Sequence, residues 1–255
     1  MQARNFVWHE LVTTDLDAAE TFYGKVAGWR LADAGMPGFR YTIAHAGEVP
    51  IGGLMRLPDE VCAQGGKPGW SGYIGVPDTD AAAAAVVEAG GRVHRAPDDI
   101  PGVGRFAVVA DPQGAPFVLF TPNGEGMPAP APGTPGVFGW NELHASDGEA
   151  AFGFYSRLFG WTKSTAVDMG PMGTYQVFAG AGRDIGGLFT DGEAPHPFWL
   201  YYIAVEDIDR GLARVTEAGG TVTAGPHPVP GDMWILHATD PQGVRFALVG
   251  ARAKA

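Results

Sequence analysis

A single cysteine, Cys62, stands among 255 residues, so no intrachain disulfide can form and the chain is not a disulfide-stapled secreted scaffold. Basic residues are scarce. Against 28 Asp and Glu there are 17 Lys and Arg, giving a formal net charge of −11, and Lys and Arg never cluster into a run. Phosphate backbones and anionic headgroups attract basic patches, so neither nucleic acid nor a membrane surface is an expected partner. No apolar run approaches the roughly 18 residues of a membrane span. Met1-Gln2-Ala3-Arg4-Asn5 leads into a strand-like segment at Phe6, without the apolar stretch of a signal peptide. A cytoplasmic location is therefore the expectation. Hydrophobic residues make up 45% and charged residues 18%, enough apolar surface to build a core without staples.

What the chain does contain is itself, twice. Phe6-Val7-Trp8-His9-Glu10-Leu11 returns as Phe138-Gly139-Trp140-Asn141-Glu142-Leu143, an offset of 138 − 6 = 132. Phe22-Tyr23 and Gly28-Trp29 return at the same offset as Phe154-Tyr155 and Gly160-Trp161. Ile51-Gly52-Gly53-Leu54 returns as Ile185-Gly186-Gly187-Leu188, and Asp111-Pro112-Gln113-Gly114 as Asp240-Pro241-Gln242-Gly243. The order is kept and the offset drifts by only a few residues between matches, so the halves are duplicates. Each is about 120 residues, too long for a solenoid repeat. Residues 122–136 are rich in Pro and Gly and read as a linker between a first domain, 1–121, and a second, 137–251.

Periodicity resolves each copy into two β-α-β-β-β units, an α+β pattern. In the first copy, Phe6 to Val12 reads as a strand. Thr14 and Asp17 have capping-box spacing, as do Ser146 and Glu149. Leu16, Ala19, Tyr23 and Val26 then share a helical face, and Gly28 and Gly160 stand where a left-handed cap ends the helix. Strands follow near 39–44 and 50–55, and again over 70–76. A second helix spans 78–89, and its counterpart carries the stripe Ile208, Leu212, Val215. Val93, 106–109 and 117–120 supply the remaining strands, with Asp111-Pro112-Gln113-Gly114 as the turn between the last two. Gly180-Ala181-Gly182-Arg183-Asp184 has no following helix and the wrong glycine spacing for a phosphate loop, so it reads as a hairpin tip.

A β-α-β-β-β unit with Phe-Tyr in its first helix, Gly-Trp after it and an Asp-Pro-x-Gly turn before the last strand resembles the vicinal oxygen chelate superfamily of glyoxalases, extradiol dioxygenases and bleomycin-resistance proteins. The resemblance implies two cup-shaped mixed sheets with helices on their outer faces. It also implies a ligand in each concave face, and, in the superfamily's enzymes, a divalent metal held there by His, Glu or Gln. The four ligand positions fall on Trp8, Gly53, Ser71 and Val118 in the first copy, and on Trp140, Gly187, Leu200 and Ala247 in the second. Neither set suits a divalent metal. A register slip would exchange Trp8 for His9, but the counterpart of His9 is Asn141. No metal or other cofactor is therefore expected. The metal-free members bind small organic molecules, which is the function the resemblance implies for a monomer or homodimer of this kind. A glyoxalase-type lyase, isomerase or dioxygenase is the alternative, and a structural protein with side chains filling the cups is a third.

Alternate strand residues face the same way, so Trp8 shares a face with Glu10, and Trp140 with Glu142. A carboxylate beside an indole in a dry pocket is a candidate catalytic base, so Glu10 and Glu142 are the candidate catalytic residues. The competing reading pairs each with an arginine or with backbone donors. Trp8, Trp140, Tyr73, Tyr202 and His237 are candidate ligand-binding residues; the tyrosines are equally readable as core residues, and a lone strand histidine such as His237 is more often hydrogen-bonded structure. His144 shares a face with Glu142, an arrangement compatible with acid–base or weak metal chemistry. His45, His94, His196 and His227 read as surface residues in turn-like or proline-flanked contexts.

Overall fold

The computed structural model describes residues 4–63, 65–124, 130–131 and 133–253. Of the expected linker, residues 125–129 and 132 lie outside the described residues, as does the start of the chain at 1–3. The first half runs β1 (Phe6–Thr13), α1 (Leu16–Ala27), β2 (Arg30–Asp33), β3 (Tyr41–Ala46), β4 (Val49–Arg56), α2 (Asp59–Ala63), β5 (Gly69–Gly75), α3 (Thr79–Glu88), β6 (Arg92–Ile100), β7 (Gly104–Ala110) and β8 (Pro116–Pro122). The second repeats it: β9 (Phe138–Ala145), α4 (Gly148–Phe159), β10 (Thr162–Asp168), β11 (Thr174–Gly180), β12 (Arg183–Thr190), β13 (Phe198–Val205), α5 (Ile208–Glu217), β14 (Thr221–Val229), β15 (Met233–Thr239) and β16 (Arg245–Ala251). The pattern is four β-α-β-β-β units. The strands form two eight-stranded sheets, β2-β3-β4-β1-β5-β8-β7-β6 and β10-β11-β12-β9-β13-β16-β15-β14. Both are mixed, with β1 parallel to β4 and β9 parallel to β12, and antiparallel pairs outward from them.

The helix ends differ in one detail from the sequence reading. The caps are Asp15 and Asp147, one residue beyond Thr14 and Ser146, and their side chains accept from the amides of Ala18 and Ala150. Thr14 and Ser146 instead give their hydroxyls to Gln242 and Gln113, the glutamines of the two Asp-Pro-Gln-Gly turns. Each glutamine also accepts the cap residue's backbone N–H and donates to its carbonyl. Gly28 and Gly160 close the helices with φ of 71° and 72°, where a side chain would be strained.

The sheets follow the two sequence copies, but compactness does not. One compact unit gathers the chain up to Val7, Ser71 through β8, and Trp140–Leu200. The other gathers Trp8–Trp70, the segment ending at Gly139, and Tyr201 onward. Each unit thus joins a half of one copy to a half of the other. In the second unit, the Tyr23 hydroxyl donates to Asp240 (3.2 Å) and accepts from the Trp70 indole (2.9 Å). In the first, Tyr155 donates to Asp111 (3.1 Å) and accepts from Trp199 (3.2 Å). Both tyrosines are fully buried. Trp29, Trp70 and Phe246 pack on Tyr23, and Trp161, Trp199 and Phe117 on Tyr155. Each such ring pair adds about 0.5–1.5 kcal/mol beyond the apolar area it buries. The Phe-Tyr, Gly-Trp and Asp-Pro-Gln-Gly motifs are therefore core architecture.

His94 and His227 are exposed as expected and stand in β6 and β14, His227 between two prolines; His45 lies half-buried in β3. Gly180-Ala181-Gly182 forms the turn of the β11–β12 hairpin, with Ala181 and Gly182 at φ of 51° and 78°.

Candidate functional site

Burial along β1 alternates. His9, Leu11 and Thr13 are buried, while Phe6, Trp8, Glu10 and Val12 are half-buried and form the opposite face. That second face carries the candidate site of the first copy. The Trp8 indole donates to the Tyr41 hydroxyl (3.1 Å), and Tyr41 donates to Glu10 Oε2 (3.0 Å). The second copy repeats the relay with shorter bonds. Trp140 donates to Tyr175 (2.7 Å), and Tyr175 donates to Glu142 Oε2 (2.8 Å). Burial and the adjacent Glu10 and Glu142 charges push both phenols above the usual tyrosine range, so each keeps its proton and acts as a donor to its carboxylate.

Glycine makes this possible. Glu10 is in register with Gly53 across β1 and β4, and Glu142 with Gly187 across β9 and β12. A Cβ on Gly53 would lie 2.0 Å from the Tyr41 hydroxyl, and one on Gly187 would lie 2.1 Å from the Tyr175 ring. Each tyrosine thus occupies space over the strand that a side chain on the glycine would fill.

The second copy adds a histidine. His144 Nε2 lies 3.0 Å from Glu142 Oε1 and Nδ1 lies 2.8 Å from Asp191 Oδ2. The ring stacks on Phe198 at 4.2 Å. Two ionised carboxylates only accept, so satisfying both contacts needs a proton on each ring nitrogen. Burial alone would depress the His144 value, but the hydrogen bonds and charges of Glu142 and Asp191 outweigh it and raise it. Burial pushes the Asp191 carboxyl up, and its bond to His144 overcomes this and lowers it. The first copy has Val12 at the position of His144, and Leu57 follows β4 where Asp191 follows β12.

The structure therefore joins Trp8 to Glu10 and Trp140 to Glu142, each through a tyrosine that the sequence reading did not single out. The repeat held the signal, because Tyr41 and Tyr175 are related by 175 − 41 = 134, the offset of the Ile-Gly-Gly-Leu segment. A tyrosine hydroxyl meets each glutamate. Tyr202 and His237 also meet, with the phenol oxygen 2.8 Å from Nε2. Tyr73 is buried, edge-on to Phe120.

Two family models match the chain. That of the Glyoxalase/Bleomycin resistance protein/Dioxygenase superfamily covers residues 138–248, and that of a glyoxalase-like domain covers 8–120. "Putative glyoxylase CFP32" of Mycobacterium tuberculosis is 32% identical over 248 residues, 95% of this chain and 93% of that relative. The chain belongs to the glyoxalase/bleomycin resistance/dioxygenase superfamily. "Anthracycline biosynthesis protein DauV" of Streptomyces sp. is a further member-like relative, 31% identical over 96% of this chain and 92% of its own length. Among solved structures, the Mn(II)-bound glyoxalase of Novosphingobium aromaticivorans shares the fold at a TM-score of 0.62 and 18% identity, covering 98% of this chain and 82% of that one. A homoprotocatechuate 2,3-dioxygenase variant from B. fuscum does so at 0.66 and 18%, covering 98% and 73%.

The superfamily's metal asks for His, Glu or Gln donors, and the residues at the expected positions do not fit that set. Tyrosine rings lie over Gly53 and Gly187. Val118 and Ala247 are buried and apolar, and the Trp8 and Trp140 indoles are donors already bonded to Tyr41 and Tyr175. Glu142 is drawn to Tyr175 and His144.

Proposed function

We propose that this superfamily member binds a small organic molecule on the two Trp–Tyr–Glu faces and does so without a metal or other cofactor. The observation that carries the reading is the duplicated relay built over a glycine. Half-buried indole and phenol rings offer π-surface, the carboxylate offers polar recognition, and the tyrosine occupies the space a ligating side chain on β4 or β12 would need. Sites of this kind orient an apolar ligand with a few fixed polar groups. The names of the relatives, a glyoxylase and an anthracycline biosynthesis protein, fit a small organic ligand. A cytoplasmic monomer or homodimer belongs to the same reading. Thermal-shift screening of small aromatic compounds against chelator-treated protein tests it. Stabilising ligands retained after chelation support it, and binding that returns only with an added divalent metal contradicts it.

A second reading rests on His144. Asp191, His144, Glu142 and Tyr175 form a continuous hydrogen-bonded chain, and Glu142 at its centre is a candidate base for taking a proton from a bound ligand. Val12 and Leu57 leave the first copy without the histidine and the aspartate, so the second copy alone would be catalytic. A turnover lost in Glu142→Gln and retained in Glu10→Gln supports this reading; equal loss in both argues for binding alone.

A further inference from the structure

The two faces share a relay but not its surroundings. Among the described residues Phe39 is the only Phe, Tyr or Trp side chain that is exposed, at 48%. It stands two residues before Tyr41, and the two rings lie 6.4 Å apart at 78°. The loop that carries it is pinned at both ends. Ala34 donates its amide to the Tyr41 carbonyl (2.8 Å), and Arg40 pairs with Asp17 (2.6 Å) and with Glu20 on α1. Val12, Met55 and Tyr41 stand abreast on β1, β4 and β3, all half-buried, so apolar surface continues from Phe39 across the sheet. The second copy differs at each of these places. Gly173 takes the position of Phe39 (173 − 39 = 134), and His144 takes that of Val12. Phe189 takes that of Met55, and its ring is already engaged by Tyr175 (6.1 Å) and His144 (4.8 Å).

We infer that the two faces are not equivalent: the Trp8–Tyr41–Glu10 face selects flat aromatic ligands, and Phe39 is the specificity-determining residue. This reading of the first face deepens the proposed binding function and rests on it. Aromatic rings attract one another edge-to-face or offset-stacked, at centroid separations of roughly 4.5–7 Å. Because Phe39 and Tyr41 stand at 78°, a flat ring parallel to one is edge-on to the other, so a single ligand meets both preferred geometries. A saturated ring of similar size buries comparable apolar area but gains neither ring contact. Presenting Phe39 on a pinned loop lowers the ordering cost of the contact. An isolated exposed apolar side chain is ordinary on a protein surface. Phe39 is distinguished by its contact with the relay tyrosine and by the apolar row beside it. Gly173 offers the second face no ring at that position.

The test uses the full chain and two probes of the same carbon skeleton, 2-naphthol and its saturated form decahydro-2-naphthol, titrated by ligand-observed NMR. The natural protein is expected to bind 2-naphthol about three- to tenfold more tightly than the saturated compound. Phe39→Leu keeps apolar bulk and removes the ring, so the ratio should fall to within about twofold. Phe39→Tyr keeps the ring and should keep the ratio. Met172→Ser removes an exposed apolar side chain from the loop before β11 and should also leave it unchanged. A ratio unaltered in Phe39→Leu overturns the inference and leaves the binding function standing. So does a ratio that falls equally in Met172→Ser, which would assign the preference to exposed apolar surface in general. If neither compound binds at millimolar concentration, the inference falls, while the compounds that stabilise chelator-treated protein still decide the binding function by themselves.

Discussion

Tyr175 lies across Gly187 so closely that a single added methyl carbon at residue 187 would sit 2.1 Å from its ring, well inside any van der Waals contact. Tyr41 and Gly53 repeat the relationship in the other copy. The glycine therefore leaves the space in which hydrogen bonds hold the tyrosine hydroxyl between an indole and a carboxylate.

Replacing either glycine should show this directly. In Gly187→Ala or Gly53→Ala the new methyl group and the tyrosine cannot occupy the same space, so the ring must swing away and its bonds to Trp and Glu are lost. Overpacking of this kind costs about 1–3 kcal/mol. Urea denaturation is expected to show that loss, together with a changed tryptophan emission; unchanged stability and emission would mean the tyrosine is not held where the structure places it.

His144 gives the protein a pH dependence with a definite sign. Its folded value lies above the ordinary 6.5, so its contribution to stability is fully present below 6.5 and is lost as pH rises through the raised folded value. Asp191 works in the opposite sense: its folded value is depressed below 3.8, so its contribution is present above 3.8 and is lost as pH falls through the folded value. Asp191→Asn removes one of the charges that raise His144. NMR titration of the His144 ring should then give a lower midpoint than in the natural protein, and a midpoint that stays in place would break the proposed coupling.

The two glutamates should respond unequally to conversion to Gln. An amide oxygen still accepts from Tyr41, so Glu10→Gln is expected to leave folding close to intact. Glu142 is also hydrogen-bonded to the buried His144 ring, and Glu142→Gln takes away a charge that helps to raise that ring's pKa, at a cost of about 1–3 kcal/mol. Thermal melts of the two variants side by side measure the difference. Equal melting temperatures would show that the His144 contact contributes nothing to stability.

The motif tyrosines belong to the core. Tyr23→Phe leaves Asp240 without one of its donors and the Trp70 indole without its acceptor, and about 1–3 kcal/mol of stability should be lost. Tyr155→Phe is the equivalent change at Asp111 and Trp199. Ligand binding on the Trp–Tyr–Glu faces should survive both; a variant that keeps its stability would contradict the structural role of the Phe-Tyr motif.

Much of this architecture is legible in the sequence because strict periodicities report it. The ordered repeat, the 2-residue alternation of β1 and β9, and the helical faces through Tyr23 and Ile208 give the four β-α-β-β-β units. The glycine stops give the helix ends. The superfamily follows from Phe22-Tyr23, Gly28-Trp29 and Asp111-Pro112-Gln113-Gly114 in their order. The site is less legible. Strand alternation puts Glu10 beside Trp8, but the residue that connects them comes from β3, two strands away in the sheet, and only a pairing register reveals it. His144 and Asp191 are 47 residues apart and meet because β9 lies alongside β12, whose end Asp191 follows. The one-residue difference between Thr14 and the true cap Asp15 has the same origin: Thr14 is engaged by Gln242, far away in the chain.

The proposed function requires the Trp–Tyr–Glu faces to bind an organic ligand without metal. Its most direct measurement is a calorimetric titration of chelator-treated protein with a compound found to stabilise it, repeated with Gly53→Ala/Gly187→Ala. Saturable binding by the metal-free natural protein is expected, unaltered when manganese, iron or zinc is added, together with loss of that binding in the glycine variant. Binding seen only after a metal is restored, or binding that persists with both tyrosines displaced, would contradict it.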